Sequence, residues 1–159
     1  WRIKPNQNKS VHTTFTLCHS FCPNVSLNNV PIPKSNTVRY LGLNLDKRLT
    51  WNAHIRIKRL ALNARFRNLR PLLTNNKHSK LKVLMHKTLL KPMWTYGLQL
   101  WGTAKVSNTN KIQQFQNIAL RKITNAPPFV SNYTLHKDLT MKTVTEEAID
   151  FYKHFHNRL

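Results

Sequence analysis

Residues 51–105 contain twelve lysines and arginines and not one aspartate or glutamate. A helix in water ordinarily mixes charge signs at three- and four-residue spacing, because opposite charges there attract and like charges repel. Nothing within this stretch can supply the negative partner. Any helices it forms must turn an apolar stripe inward and cations outward, and the balancing anion must come from elsewhere. The rest of the chain offers few candidates. Across all 159 residues there are 26 Lys and Arg against 5 Asp and Glu, a net charge of +21. The excess is uneven, with net +6 in 1–50, +12 in 51–105 and +3 in 106–159. Nucleic acid is the first partner such a chain predicts, and an anionic membrane surface the second. No apolar run approaches the roughly 18 residues of a membrane span, and no secretory pattern opens the chain. Because residue 1 is Trp rather than Met, a fragment or processed piece is expected.

The basic stretch reads as two helical pieces. The first runs from near Trp51 to Arg70 and stops at Pro71, with Ile55, Leu62 and Leu69 at seven-residue spacing. Beside that stripe Arg56, Arg59, Asn63, Arg67 and Arg70 recur at steps of three and four, a basic ribbon. The second begins near Ser79 as its N-cap, with Leu81, Leu84 and Met85 on its apolar side and Lys80, Lys87 and Lys91 on a polar one. Pro92 should kink or restart it. Beyond lie Trp94, Tyr96 and Trp101, which fit either a core or a base-stacking platform.

Residues 1–50 read as sheet. VHTTFTL (11–17) is rich in β-branched and aromatic residues, and 26–29 form a turn between Val25 and Val30. Residues 38–46 alternate, with Leu41, Leu43 and Leu45 on one face and Val38, Tyr40 and Gly42 on the other. Gly42 marks either a bulge or a close approach of another backbone or ligand. Residues 106–159 continue helical. Asn108 or Thr109 caps a helix with Ile112, Phe115, Ile118 and Ala119 on one face, ending near NAPP (125–128). A last helix follows a capping box with Thr143 at N-cap and Glu146 at N3.

Two-metal polymerase or nuclease chemistry needs several converging carboxylates. The acids are Asp46, Asp138, Glu146, Glu147 and Asp150. Glu146 and Glu147 fit the stabilisation of a helix N-terminus, and the other positions form no cradle. The glycines are 42, 97 and 102, so a phosphate-binding glycine loop is lacking. Cys18 and Cys22, with His12 and His19 nearby, lack a second Cys/His pair at finger spacing. Neither a metal site nor a disulfide framework is expected, and a reducing, intracellular setting is.

Four segments, WRIKPNQNKS (1–10), VRYLGLNLDKRLTW (38–51), LLKPMWTYGLQLWGTA (89–104) and the NAPPFVSN…LHKDLTMKTVTEEA tail, resemble the reverse transcriptase of jockey-like non-LTR (LINE-type) retrotransposons. The order and spacing match along essentially the whole chain. The resemblance implies the end of a right-hand polymerase palm in 1–50, thumb-like basic helices in 51–105, and a helical region after the thumb in 106–159. It assigns Lys9, within Asn6–Ser10, an assist to the leaving pyrophosphate, and makes Tyr40, Leu41 and Gly42 a primer-grip hairpin. Pro5 departs from the family pattern, where an aliphatic residue is usual. The fingers and the aspartate-bearing palm motifs are absent, so Mg²⁺ and polymerisation are expected only of the intact enzyme, for which the nucleus is one candidate compartment inside the cell.

The combined expectation is an α+β chain, a small antiparallel sheet followed by a mainly helical bundle. It would hold an RNA–DNA or RNA template–primer duplex through its phosphates, with Arg56, Arg59, Arg67 and Arg70 foremost and Lys80, Lys87 and Lys91 next. The missing fingers and palm would be its protein partner. The alternatives are a free-standing basic nucleic-acid-binding protein of transposon origin, and a decayed fragment without function.

Overall fold

A computed structural model describes residues 4–18, 22–74 and 79–157. Trp1, His19 and the side chain of Ser79, the expected N-cap, lie outside what is described. The chain is α+β and divides into two compact units, Trp1–His54 and Ile55–Leu159.

The first unit is built from two antiparallel hairpins. Strands β1 (Ser26–Leu27) and β2 (Val30–Pro31) pair Leu27 with Val30 across Asn28 and Asn29. Both asparagines have positive φ, 50° and 63°, as a tight two-residue hairpin turn requires and asparagine tolerates. Strands β3 (Thr37–Tyr40) and β4 (Leu43–Asp46) pair Val38 with Leu45 and Tyr40 with Leu43. The alternating run 38–46 is therefore not one strand. Leu41 and Gly42, at φ 47° and 77°, fold it back on itself. The fold-back puts Val38, Tyr40, Leu43 and Leu45 on one face, because residues paired across a ladder share a side. The segment 11–17 forms an isolated bridge at His12 rather than a strand. It joins its neighbours at single points, His12 N–H to Pro33 O (3.1 Å) and Thr16 N–H to Lys47 O (3.2 Å).

Helix α1 (Asn52–Thr74) is one turn longer than expected and runs through Pro71. Pro71 deprives a single carbonyl of its donor near the helix end, while Leu73, just beyond it, is completely buried and holds the last turn in place. Ile55, Leu62 and Phe66 complete the inward stripe, with the Phe66 ring edge-on to Phe115 at 6.0 Å.

Helix α2 (Ser79–Met85) contradicts the expected face. Leu81 and Leu84 are 52% and 55% exposed, and Lys82 and His86 are buried instead. The long aliphatic stem of a lysine can cover apolar surface while its head reaches outward. A π-turn over His86–Leu90, with Lys91 N–H reaching back to His86 O, precedes helix α3 (Lys91–Thr95). The added residue widens the turn where the ring of Pro92 would strike the previous carbonyls, so the helix restarts rather than breaks. Gly97 at φ 70° then turns the chain into the short helix α4 (Leu98–Trp101). Trp94 and Trp101 are fully buried, so the tryptophans belong to the core and only Tyr96 is exposed.

Helix α5 (Val106–Thr124) starts before Asn108, which is buried inside it rather than capping it. Its inward face is Ile112, Phe115, Ala119, Leu120 and Ile123, and Ile118 points out. Helix α6 (Asn132–Asp138) was not expected. Ser131 caps it, accepting a bond from Thr134 N–H. Helix α7 (Val144–His156) has the full capping box: Thr143 N–H to Glu146 Oε2 at 2.8 Å, and Glu146 N–H to Thr143 Oγ1 at 3.2 Å. Among the described residues, no helix is long and apolar enough to cross a membrane.

Candidate nucleic-acid interface

The ribbon on α1 divides in two. On a wheel of about 100° per residue, Arg56 and Arg67 lie about 100–120° from the midline of the buried stripe, and Arg59 only about 40°. Arg56 and Arg67 are accordingly exposed and have no hydrogen-bond or ionic partner among the described residues. Arg70 is also exposed. Arg59 is half-buried. Its Nη1 donates to Lys111 O at 2.7 Å, its guanidinium sits 5.3 Å from the Phe115 ring centre, and burial draws its pKa down. It ties α1 to α5.

Lys58, not singled out in the sequence, does similar work. Its ammonium donates to Met93 O (2.9 Å) and Tyr96 O (3.0 Å) and lies near the Tyr96 and Trp101 rings. A cation suits these carbonyls at the end of α3. Burial pulls the Lys58 pKa down to about 8. Lys80 and Lys87 are exposed, whereas Lys91 forms an ion pair with Glu147 at 2.8 Å.

In the first unit the hairpin tip stands out, with Tyr40 62% and Leu41 70% exposed beside Gly42. Lys9 ends a short 3-10 turn, Gln7–Lys9, that Asn6 caps by accepting from Asn8 N–H at 3.0 Å. It lines an open cavity of about 590 Å³ together with Lys34 and Arg39, and no acid lines that cavity. Lys34 and Arg39 escaped notice in the sequence because they are far from Lys9 in the chain. The bridge of Lys34 to His12 and the place of Arg39 on β3 bring them there.

Most of the acids are committed elsewhere. Burial raises the Asp46 pKa, but bonds from Thr50 N–H (2.9 Å), Thr50 Oγ1 (2.8 Å) and Trp51 N–H (2.8 Å) outweigh it and the net shift is downward. Asp46 thus pins the turn into α1. Glu146 serves the capping box, Glu147 holds Lys91, and Asp150 holds Lys142. No three His, Cys, Asp or Glu side chains gather to hold a metal among the described residues.

These features define a strongly basic chain with exposed cations and with most of its few carboxylates committed to internal bonds. Comparison with known proteins gives the lineage. Over its full length the chain is 38% identical to the probable RNA-directed DNA polymerase from transposon X-element and 36% identical to that from transposon BS, both of Drosophila melanogaster. It is 30% identical to the RNA-directed DNA polymerase from mobile element jockey of the same fly. The chain spans 18% of the length of each of these relatives. It is thus homologous, from end to end, to one segment of the reverse transcriptases of jockey-like non-LTR elements. No family model and no solved structure matches it.

Proposed function

We propose that this chain is the part of a non-LTR reverse transcriptase that grips a template–primer duplex, RNA–DNA or RNA, by its phosphates, and that it holds no polymerising chemistry of its own. The observation that carries this reading is the acid-free stretch 51–105, whose Arg56 and Arg67 stand exposed on α1 with no partner among the described residues. A phosphate backbone supplies the regularly spaced anions that the protein lacks. Arg70, Lys80 and Lys87 extend the contact, and Arg59 supports it from behind by fixing α1 against α5.

The exposed Tyr40–Leu41–Gly42 tip lets a primer strand approach closely, since Gly42 carries no side chain. Lys9, with Lys34 and Arg39, supplies positive charge where a polyphosphate could rest. Metal-assisted phosphoryl transfer would belong to the remaining fingers and palm, because most acids here are committed to turns, caps and ion pairs and no three metal-ligating side chains gather among the described residues. Val11, Phe15 and Leu17, all exposed in the first unit, give that remainder an apolar surface to cover.

The test is a fluorescence-anisotropy titration of the chain with an RNA–DNA duplex bearing a recessed 3′ end and with the same duplex blunt. Tighter binding to the recessed end is expected. Equal affinity would favour a free-standing basic binding protein and refute the primer grip. Primer extension with Mg²⁺ should give no product, and product would refute the claim that the chemistry lies elsewhere.

A further inference from the structure

Arg121 is a cation committed to its own chain. Its Nη1 donates to Pro127 O (2.9 Å), and its Nη2 donates to Val130 O (2.8 Å) and Asn132 Oδ1 (2.9 Å). One guanidinium therefore fixes the loop between α5 and α6. That loop and the start of α6 hold two aromatic rings out in water, Phe129 at 87% and Tyr133 at 77% exposure. Aromatic surface on this scale is normally buried, and rings held out by a rigid loop are suited to a planar partner.

Tyr133 lines an open groove of about 630 Å³, and a smaller cavity of about 270 Å³ shares Asn117 and Asn132 with it. The larger is in the size range of ligand sites, about 300–1,000 Å³. Its polar groups are held in place from behind. His136, only 8% exposed, has Nδ1 2.9 Å from Met141 O, which makes that nitrogen the N–H donor. Gln113 accepts from Val144 N–H at 2.8 Å and donates to Asn117 Oδ1 at 2.8 Å. The Asn117 amide borders the groove with its Oδ1 2.8 Å from Gln113 Nε2 and 2.9 Å from His136 Nε2. Glu146 gives one carboxylate oxygen to the capping box and borders the groove as an acceptor. Lys137, exposed at the rim, has no ionic partner among the described residues.

An aromatic face, a side-chain amide, a carboxylate acceptor and a cation at the rim match the parts of one nucleotide: ring face, hydrogen-bonding edge and phosphate. A duplex presents neither its base faces nor its pairing edges, so the occupant must be unpaired. We propose that the α5–α6 groove binds unpaired bases of a single-stranded nucleic acid, with Tyr133 as the stacking face, Asn117 and Glu146 reading the base edge, and Lys137 meeting the phosphate. The groove is separate from the cations of α1. It shares with the duplex-grip reading only the premise that nucleic acid is the partner.

The test uses the full chain with labelled twelve-nucleotide single strands, one DNA and one RNA, and a blunt hairpin duplex as control. Tyr133→Ala should weaken single-strand binding about five-fold or more, the loss of one stacked base. Tyr133→Phe should keep wild-type affinity, and neither change should alter duplex binding. Tyr133 is exposed, so both variants should fold, and circular dichroism checks this. Binding of only one strand type, with that same Tyr133 dependence, supports the site and names its source. Unchanged single-strand affinity in Tyr133→Ala would overturn the proposal and leave the groove to a polypeptide partner. An equal loss on duplex would overturn it too. Failure of the recessed-end comparison, with Tyr133 dependence intact, would refute the primer grip and leave this site standing.

Discussion

His86 makes the second unit acid-sensitive. The ring is fully buried, and neither nitrogen has a hydrogen-bond partner among the described residues. Burial chiefly, then the nearby charges of His136, Lys91 and Lys87, press its pKa from the ordinary 6.5 down to about 4. In the unfolded chain the ring takes up a proton near pH 6.5, while in the folded chain it resists until about pH 4. Stability from this group is therefore fully present above pH 6.5 and falls as pH drops toward 4, where the loss is complete. Each pH unit crossed in that window removes about 1.4 kcal/mol, so roughly 2 kcal/mol is gone at pH 5 and about 3 kcal/mol at pH 4. Urea unfolding followed by tryptophan fluorescence at pH 7, 6, 5 and 4 measures this, since Trp94 and Trp101 are buried in the same unit. His86→Leu fills the site without a titrating group and removes two unpartnered nitrogens, so at pH 7 it should be at least as stable as wild type. The difference between the two chains should then widen in favour of the variant by about 3 kcal/mol between pH 7 and pH 4. Other titrating groups are common to both chains and cancel. Parallel profiles over that interval would refute the argument.

Arg59→Ala should lower unfolding stability by about 1–3 kcal/mol, because it strips a charged donor from Lys111 O and the cation from the Phe115 face. Arg56→Ala, exposed on the same helix, should leave the urea midpoint within experimental error. Gly102→Ala should cost about 1–3 kcal/mol by chemical denaturation, since a Cβ there would lie 2.5 Å from Leu98 O and 3.0 Å from the Ala148 Cβ of α7. An unchanged midpoint in Gly102→Ala would mean that α4 and α7 are free to move apart.

What could be read in advance followed the strength of each local signal. The stripe through Ile55 and Leu62 on α1 and the Thr143–Glu146 box opening α7 are set by short-range spacing, and both are in place. Arg59 could not be separated from Arg56 and Arg67 without knowing how far the buried stripe reaches round the helix, and that depends on Phe115 of α5. Leu81 and Leu84 promised an inward face on α2, but periodicity does not say which side a neighbouring helix covers, and Lys82 and His86 face in. Leu-Gly is a weak hairpin signal compared with Asn-Gly, so the turn at Leu41 and Gly42 is invisible to alternation, although the family resemblance implied it. Helix α6 is short and follows two prolines, and only Ser131 announces it. The groove beside it is assembled from three helices and has no linear motif.

The account turns on whether the outward arginines of α1 meet phosphates. The direct measurement is the salt dependence of duplex binding for wild type and for Arg56→Gln with Arg67→Gln, with affinity titrated across a series of KCl concentrations. Each lost phosphate contact should reduce the slope of log affinity against log salt by about 0.7–0.9, so the double variant should be shallower by roughly 1.4–1.8. An unchanged slope, whatever happens to the affinity itself, would contradict the account.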